Sequence, residues 1–255
     1  MDHLFDIFIL IFAYASVWYG LSLLLKNSGI ADIAWGLGFC LIAAYCWITV
    51  EPTFPGAFVV LIMVFLWGFR LAGYIFWRGL GKAEDWRYKK WRDDWGKTFY
   101  VRSYLQVFLL QGFLMILVSF PVINIITSQG APSELGWVEV LGVGLWLIGF
   151  LWETISDFQL YFFKKNPANK GKIMTTGLWA YSRHPNYFGE ILLWFGVLIF
   201  SLPYGNQLTS LFGFLVITFL VVKVSGVAML EKKYVDNEDY QDYIKRTWAL
   251  IPKLF

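Results

Sequence analysis

Ile30-Ala-Asp-Ile-Ala-Trp-Gly-Leu-Gly-Phe-Cys-Leu-Ile-Ala-Ala-Tyr-Cys-Trp-Ile-Thr-Val50 decides the fold. Its only charge is Asp32, close to its start. Roughly 20 mostly apolar residues in a helix cross the hydrocarbon core of a bilayer. In lipid a helix satisfies its own backbone donors and acceptors, which an open strand or loop cannot do. Six more runs of the same kind surround this one, at about Leu4–Leu25, Gly56–Trp77, Tyr104–Ile126, Trp137–Phe163, Tyr187–Leu202 and Leu208–Met229. The expectation is an all-α integral membrane protein with about seven transmembrane helices. The Tyr187 run is short for a span, so its helix is expected to start inside the polar stretch before it.

Composition agrees. The 255 residues are 58% hydrophobic and 15% charged, against about 45–50% and about 25% for soluble domains. One globular core of this size does not absorb the excess. Aromatics make up 20%, with 14 Trp, which suits rings placed at both membrane interfaces. A net charge of +3 is too small to indicate nucleic acid. Cys40 and Cys46 lie in one apolar run and read as small buried hydrophobes, not as a disulfide or metal site. The N-terminal stretch lacks the basic region and small-residue cleavage site of a signal peptide, so its first run is expected to be a retained span. With no repeat or low-complexity tract, a single integral-membrane domain over residues 1–255 is expected.

The connections alternate in charge. Glu51–Pro55, Thr127–Gly136 and Pro203–Gln207 contain no Lys or Arg, whereas Arg78–Ser103, Lys164–Asn186 and the tail are basic. The positive-inside rule puts these three in the cytoplasm, with the N-terminus outside and the C-terminus inside. That requires an odd number of spans, in agreement with seven.

Charges at membrane depth are costly and mark candidate sites. Glu153 and Asp157 are one turn apart on one helix face, as are Arg70 and Tyr74. Asp32 reads equally as a helix cap or a site residue. Lys223 is mid-span, where an acid on another helix would be its partner. Glu84-Asp-Trp-Arg-Tyr-Lys-Lys-Trp-Arg-Asp-Asp-Trp95 mixes charge with tryptophan. It reads either as an interfacial amphipathic helix on membrane lipids or as a lid whose Arg87 and Arg92 meet an anionic cofactor. No His, Asp or Glu set has metal-ligand spacing. Neither a nucleophile elbow nor a Gly-x-Gly-x-x-Gly fingerprint is present.

The most informative polar stretch is Tyr181-Ser-Arg-His-Pro-Asn-Tyr-Phe-Gly-Glu190. With this motif and the spans, the chain resembles the steroid 5α-reductase-like superfamily, and most of all its bacterial DUF1295 branch. That superfamily also includes sterol Δ14- and Δ7-reductases and isoprenylcysteine carboxyl methyltransferases. The resemblance is strongest over residues 152–255, a cofactor half; the substrate half is roughly 1–127. Glu153-Thr-Ile-Ser-Asp157 resembles the reductases' Asn-x-x-Ser-Asp segment, and Asn186 and Glu190 match positions that contact the cofactor. Lys164 and Lys172 stand at basic positions near its phosphates. The tail from Glu238-Asp-Tyr240 to Ala249-Leu-Ile-Pro252 resembles the stretch at the adenosine end. Arg70-x-x-x-Tyr74 falls where the reductases carry Arg-x-x-x-Tyr. Tyr181, Arg183, His184 and Tyr234 complete the cofactor set that the resemblance implies. Departures fall in the substrate half: the reductases' Gln-Glu pair is absent, with Asp32 nearby, and Trp67 stands at their substrate-binding Tyr. The tail also lacks their His ahead of Tyr234.

The resemblance implies NADPH-dependent reduction of an activated carbon–carbon double bond in a lipophilic steroid-, sterol- or isoprenoid-like substrate drawn from the bilayer. This is the chemistry of a 3-oxo-5α-steroid 4-dehydrogenase, with Asp32 or Tyr74 as the catalytic acid. The implied location is a bacterial inner membrane, with the cofactor site facing the cytoplasm. Arg-His-Pro-x-Tyr is shared with the methyltransferases, so S-adenosylmethionine is the alternative cofactor. The acids Glu153, Asp157 and Glu190 favour the reductase. A non-enzymatic lipid-binding protein is a third reading.

Overall fold

The computed structural model describes residues 2–224, 226–234 and 236–253. Ser225, within the seventh expected span, and Phe255, at the end of the reductase-like tail, lie outside the described residues. The described residues form helices and no β-strand, and seven helices among them are long and apolar enough to cross a membrane. The chain divides into two compact units, Met1–Glu134 with Tyr204–Gly213 and Leu135–Pro203 with Phe214–Phe255.

The first unit begins with α1 (Asp2–Leu24), α2 (Ile30–Val50) and α3 (Pro55–Gly79). Glu51 ends α2 in a left-handed conformation with its N–H on the Trp47 carbonyl. Pro55 starts α3, where its missing N–H costs nothing. These two helices meet backbone to backbone. A Cβ on Gly36 would lie 2.7 Å from the Gly68 oxygen, and one on Gly68 would lie 2.6 Å from the Gly36 oxygen. Small residues allow such approach between helices in lipid, where dispersion packing drives association. Cys40 sits beside Gly68, and both cysteines are buried and free, as the sequence suggests.

After α4 (Trp86–Trp95) the chain turns at Gly96, whose φ is +47°. It then runs through α5 (Phe99–Arg102), a π-helical segment (Ser103–Leu109) and α6 (Leu110–Val118). The expected fourth span, Tyr104–Ile126, is displaced. The candidate crossing segment lies within Trp86–Val118, and α7 (Phe120–Ile126) is a separate short helix. The break comes just ahead of Pro121, which provides no N–H to continue the ladder. Buried Asn124 joins α7 to the start of α10 (Gln207–Phe219), with Nδ2 2.7 Å from Thr209 Oγ1 and 2.9 Å from Ser210 Oγ.

The second unit is built on α8 (Trp137–Lys165) and α9 (Pro185–Ser201). The Glu139 carboxylate accepts the Gly136 N–H at 3.1 Å and secures the start of α8. Gly142 and Gly149 on α8 face Gly196 and Gly189 on α9, in antiparallel order. A Cβ on Gly149 would lie 2.4 Å from Leu193 N, on Gly189 2.5 Å from Glu153 N, and on Gly196 2.5 Å from Trp146 N. The two backbones therefore touch along a seam of glycines seven residues apart on each helix. As anticipated, α9 starts inside the motif, at Pro185. Beyond α10 come a π-helical turn (Leu220–Val224), α11 (Val227–Lys233) and α12 (Glu238–Arg246). A Cβ at Gly226 would lie 2.1 Å from the Val221 oxygen, so only glycine fits where the π turn gives way to α11. Lys223 is exposed in that turn.

Candidate cofactor site

The connection from α8 to α9 folds back onto α8. Gly177, at φ +62°, lets the Gln159 side chain come close, and Gln159 Oε1 accepts the Leu178 N–H at 3.0 Å. The Trp179 indole N–H donates to the Ser156 carbonyl at 3.1 Å. Residues 181–184 then pair in parallel with the tail through a bridge between Ser182 and Trp248. Arg183 N–H donates to the Trp248 carbonyl at 2.9 Å, His184 N–H to Ala249 at 3.1 Å, and Lys253 N–H to Tyr181 at 2.8 Å. The buried Tyr243 hydroxyl closes on the carbonyls of Trp179 and Ser182.

Arg183 is 8% exposed. Its Nε and Nη2 donate to Glu231 Oε1 at 2.9 and 2.6 Å, and its Nη1 donates to the Thr247 carbonyl. His184 Nε2 lies 3.4 Å from the same Glu231 oxygen, and its ring stacks on Tyr187. Buried Tyr240 packs against Tyr234 and Tyr243; burial, with the Glu231 carboxylate nearby, pushes its phenol up to about 12. Arg183 and His184 thus bind the tail and α11. The resemblance had made them cofactor contacts, but the guanidinium that would face phosphate is already engaged by the chain's own carboxylate.

A second group lies on the helices themselves. Asn186 Nδ2 donates to Asp157 Oδ1 at 3.2 Å. Glu153, one turn before Asp157, is buried, and Glu190, one turn after Asn186, is half-buried. Asn186 Oδ1 is buried with no hydrogen-bond partner among the described residues. These groups are almost all acceptors, so they suit a ligand that presents N–H and O–H donors. Toward the tail, Lys172 lines a cleft of about 500 Å³ with Ile173, Thr175, Asp239, Asp242 and Arg246. Lys164 and Tyr181 are exposed nearby in sequence, at the end of α8 and in the motif.

The remaining candidates belong to the first unit. Arg70 and Tyr74 are half-buried on α3, and the Arg78 guanidinium lies 5.3 Å from the Tyr74 ring centre. Trp67 is buried edge-on to Phe39. Asp32 accepts the Tyr88 hydroxyl at 2.7 Å and pairs with Arg87, which also holds Asp85 at 2.8 Å. Glu84 accepts the Ser28 N–H at 2.7 Å and Arg92 at 2.9 Å. Burial opposes the Asp85 carboxylate's charge, but the Arg87 hydrogen bond and charge outweigh it and hold the group below its ordinary 3.8. Asp32, bound by a guanidinium and a phenol, clamps α4. Arg87 and Arg92 fix α4 to Asp32 and, through Glu84, to the α1–α2 turn. Sequence reasoning missed Tyr88, Tyr243 and Glu231. The charge alternation in 84–95 was the available signal for Tyr88; nothing local marked the other two.

The family model described as "Protein of unknown function (DUF1295)" matches residues 18–247. This chain belongs to the DUF1295 family. A 3-oxo-5-alpha-steroid 4-dehydrogenase 1 of Macaca fascicularis is 35% identical over 117 residues, 46% of this DUF1295 chain and 41% of the relative. A Delta(14)-sterol reductase of Arabidopsis thaliana is 35% identical over 71 residues, 24% of this chain and 18% of the relative. A "Probable O-methyltransferase" of Ustilaginoidea virens is 44% identical over 46 residues, 18% of this chain and 16% of the relative. The match to each of these relatives thus spans less than half of its length. No solved structure matches. The family and its named relatives place the chain in the steroid 5α-reductase-like superfamily of membrane proteins.

Proposed function

We propose that this DUF1295 chain is a membrane-embedded reductase that uses NADPH to saturate an activated carbon–carbon double bond in a lipophilic steroid-, sterol- or isoprenoid-like molecule. One observation carries the reading: Asn186, tied to buried Asp157, keeps a buried carbonyl oxygen with no partner among the described residues. An unfilled acceptor in low dielectric is costly, and the amide N–H of a nicotinamide carboxamide would fill it. The neighbouring carboxylates suit ribose hydroxyls.

When bound, NADPH supplies the hydride, and the protein supplies placement and exclusion of water. Asn186, Asp157 and Glu190 orient the carboxamide and ribose. Exposed Lys164 and Lys172 balance phosphate charge. Tyr74 and Asp32 remain the candidate acids for the substrate's carbonyl oxygen. The basic segments support a cofactor side that faces the cytoplasm, on this reading at a bacterial inner membrane, and the substrate arrives through the lipid.

The test is equilibrium binding of NADPH to detergent-purified protein, with mass spectrometry of any retained small molecule. NADPH is expected to bind, and Asn186→Ala to weaken it about tenfold or more. The short match to an O-methyltransferase supports a second reading, methyl transfer from S-adenosylmethionine. Recovery of S-adenosylmethionine without a nicotinamide nucleotide would select it. Retention of neither compound, with Asn186→Ala behaving as wild type, would select lipid binding without catalysis.

A further inference from the structure

The end of the tail, residues 248–253, forms a strap tied to the foot of a membrane span. The Trp248 and Ala249 carbonyls accept the N–H groups of Arg183 and His184 at 2.9 and 3.1 Å. One residue later, at Pro185, α9 starts, and the crossing segment Pro185–Tyr204 starts with it. Lys253 N–H returns to the Tyr181 carbonyl at 2.8 Å. Both ends of the strap are thus fixed, by backbone bonds, to the four residues ahead of the span.

The fastening groups point inward. Thr247 is buried, with its carbonyl on the Arg183 guanidinium, and Ser182 Oγ donates to the Leu250 carbonyl at 2.8 Å. Two large apolar side chains are left outside: Trp248 is 56% exposed and Ile251 is 62% exposed. A lone exposed aliphatic residue needs no account. A Trp and an Ile three positions apart, held at the height where a span begins, have the chemistry of a membrane interface. Charge agrees. Lys245-Arg-Thr-Trp-Ala-Leu-Ile-Pro-Lys253 contains three cations and no acid, which complements an anionic headgroup layer. Lys245 is paired with Asp242; Lys253 is exposed at the end of the strap.

We propose that the strap docks on the membrane that the helices cross, with Trp248 and Ile251 at the boundary between headgroups and hydrocarbon and Lys253 on the phosphates of anionic phospholipid. An indole suits that boundary because its body is apolar and its N–H still reaches a polar partner. Lipid then helps to hold residues 181–184 in place, whatever ligand the motif takes.

The test is spin labelling of the full-length protein in nanodiscs of phosphatidylcholine and phosphatidylglycerol. Cys40→Ala and Cys46→Ala remove the two native thiols. A nitroxide on Ile251→Cys is expected to be reached by oxygen, which concentrates in lipid. Its access to a water-soluble nickel complex should be no greater than that of a headgroup-labelled phospholipid in the same discs. Greater nickel access puts the strap in water and overturns the proposal. Shielding from both oxygen and nickel means that protein covers the strap, this chain or a second copy, and overturns it too. Lys253→Gln is expected to shift the balance about fivefold toward water in these discs and to change nothing in pure phosphatidylcholine. No shift in the anionic discs overturns the role of anionic lipid. If the labelled protein does not fold, wild type and Trp248→Phe are compared in discs of brominated phospholipid. Quenching of the emission that Trp248 contributes supports docking, and unquenched emission overturns it.

Discussion

Arg183 and Glu231 meet at 2.6 Å, with the guanidinium side chain 9% exposed and the carboxylate 28% exposed. The pair joins the start of α9 to α11, and the same guanidinium binds the Thr247 carbonyl. One side chain therefore gathers the motif, a distant helix and the tail.

Replacing Glu231 by Gln leaves that guanidinium buried without its counter-charge. Removing one member of a buried pair costs several kcal/mol. Water reaches Glu231, which lowers the expected loss to about 2 kcal/mol. Thermal unfolding in detergent should show a lower midpoint, and NADPH should bind more weakly because residues 181–184 lose their anchor. An unchanged midpoint would contradict this role.

The glycine seam makes a sharper prediction. At Gly149 an added methyl would lie 2.4 Å from the Leu193 nitrogen, and at Gly189 2.5 Å from the Glu153 nitrogen. Backbone atoms on the facing helix cannot turn aside as a flexible side chain can. Gly149→Ala and Gly189→Ala should each cost about 3 kcal/mol or more, at or beyond the upper end for overpacking. Gly144, on the same helix with nothing within 4 Å, is the control. Gly144→Ala should be neutral or slightly stabilising.

Asp32 and Arg87 should behave as one unit. Asp32→Asn and Arg87→Gln are expected to loosen α4 to similar degrees, with a double-mutant coupling of about 1 kcal/mol or more. Limited proteolysis within residues 80–98 reports the loosening. If Asp32→Asn abolished turnover while α4 stayed protected, Asp32 would act in catalysis and not as a clamp alone.

Acid should release the same helix. The folded-state affinity of Asp85 for protons is lowered, so its stabilising contribution is complete above the ordinary value of 3.8 and is lost as pH falls through its folded-state value. Hydrogen exchange across Trp86–Trp95 should rise at the acid end of a pH series. Asp85→Asn should flatten that part of the profile.

The seven crossings were legible because a span is a local property of about 20 residues. The exception, at Pro121, was a matter of where one helix stops and the next begins. Asp157 and Asn186, 29 positions apart, were named from motif resemblance, and they do meet. Glu231 was not named, because its partner Arg183 is 48 positions away and no local pattern links them. Asp32 was left open between two readings for a related reason. Its choice between clamp and acid depends on Arg87 and Tyr88, which a sequence places far off and the fold places against it. The glycine seam was present in plain view as two pairs of glycines seven apart, but each pair gains meaning only when the two helices are laid side by side.

That seam has a mechanical consequence. Two helices in backbone contact have no side-chain layer between them to slide or tilt upon, so α8 and α9 behave as one strut. Any movement that admits or expels a ligand at Asp157 and Asn186 falls to the connection 166–184 and to the tail. Those segments are fastened by separate hydrogen bonds and an ion pair, which can be undone one at a time while the strut holds still.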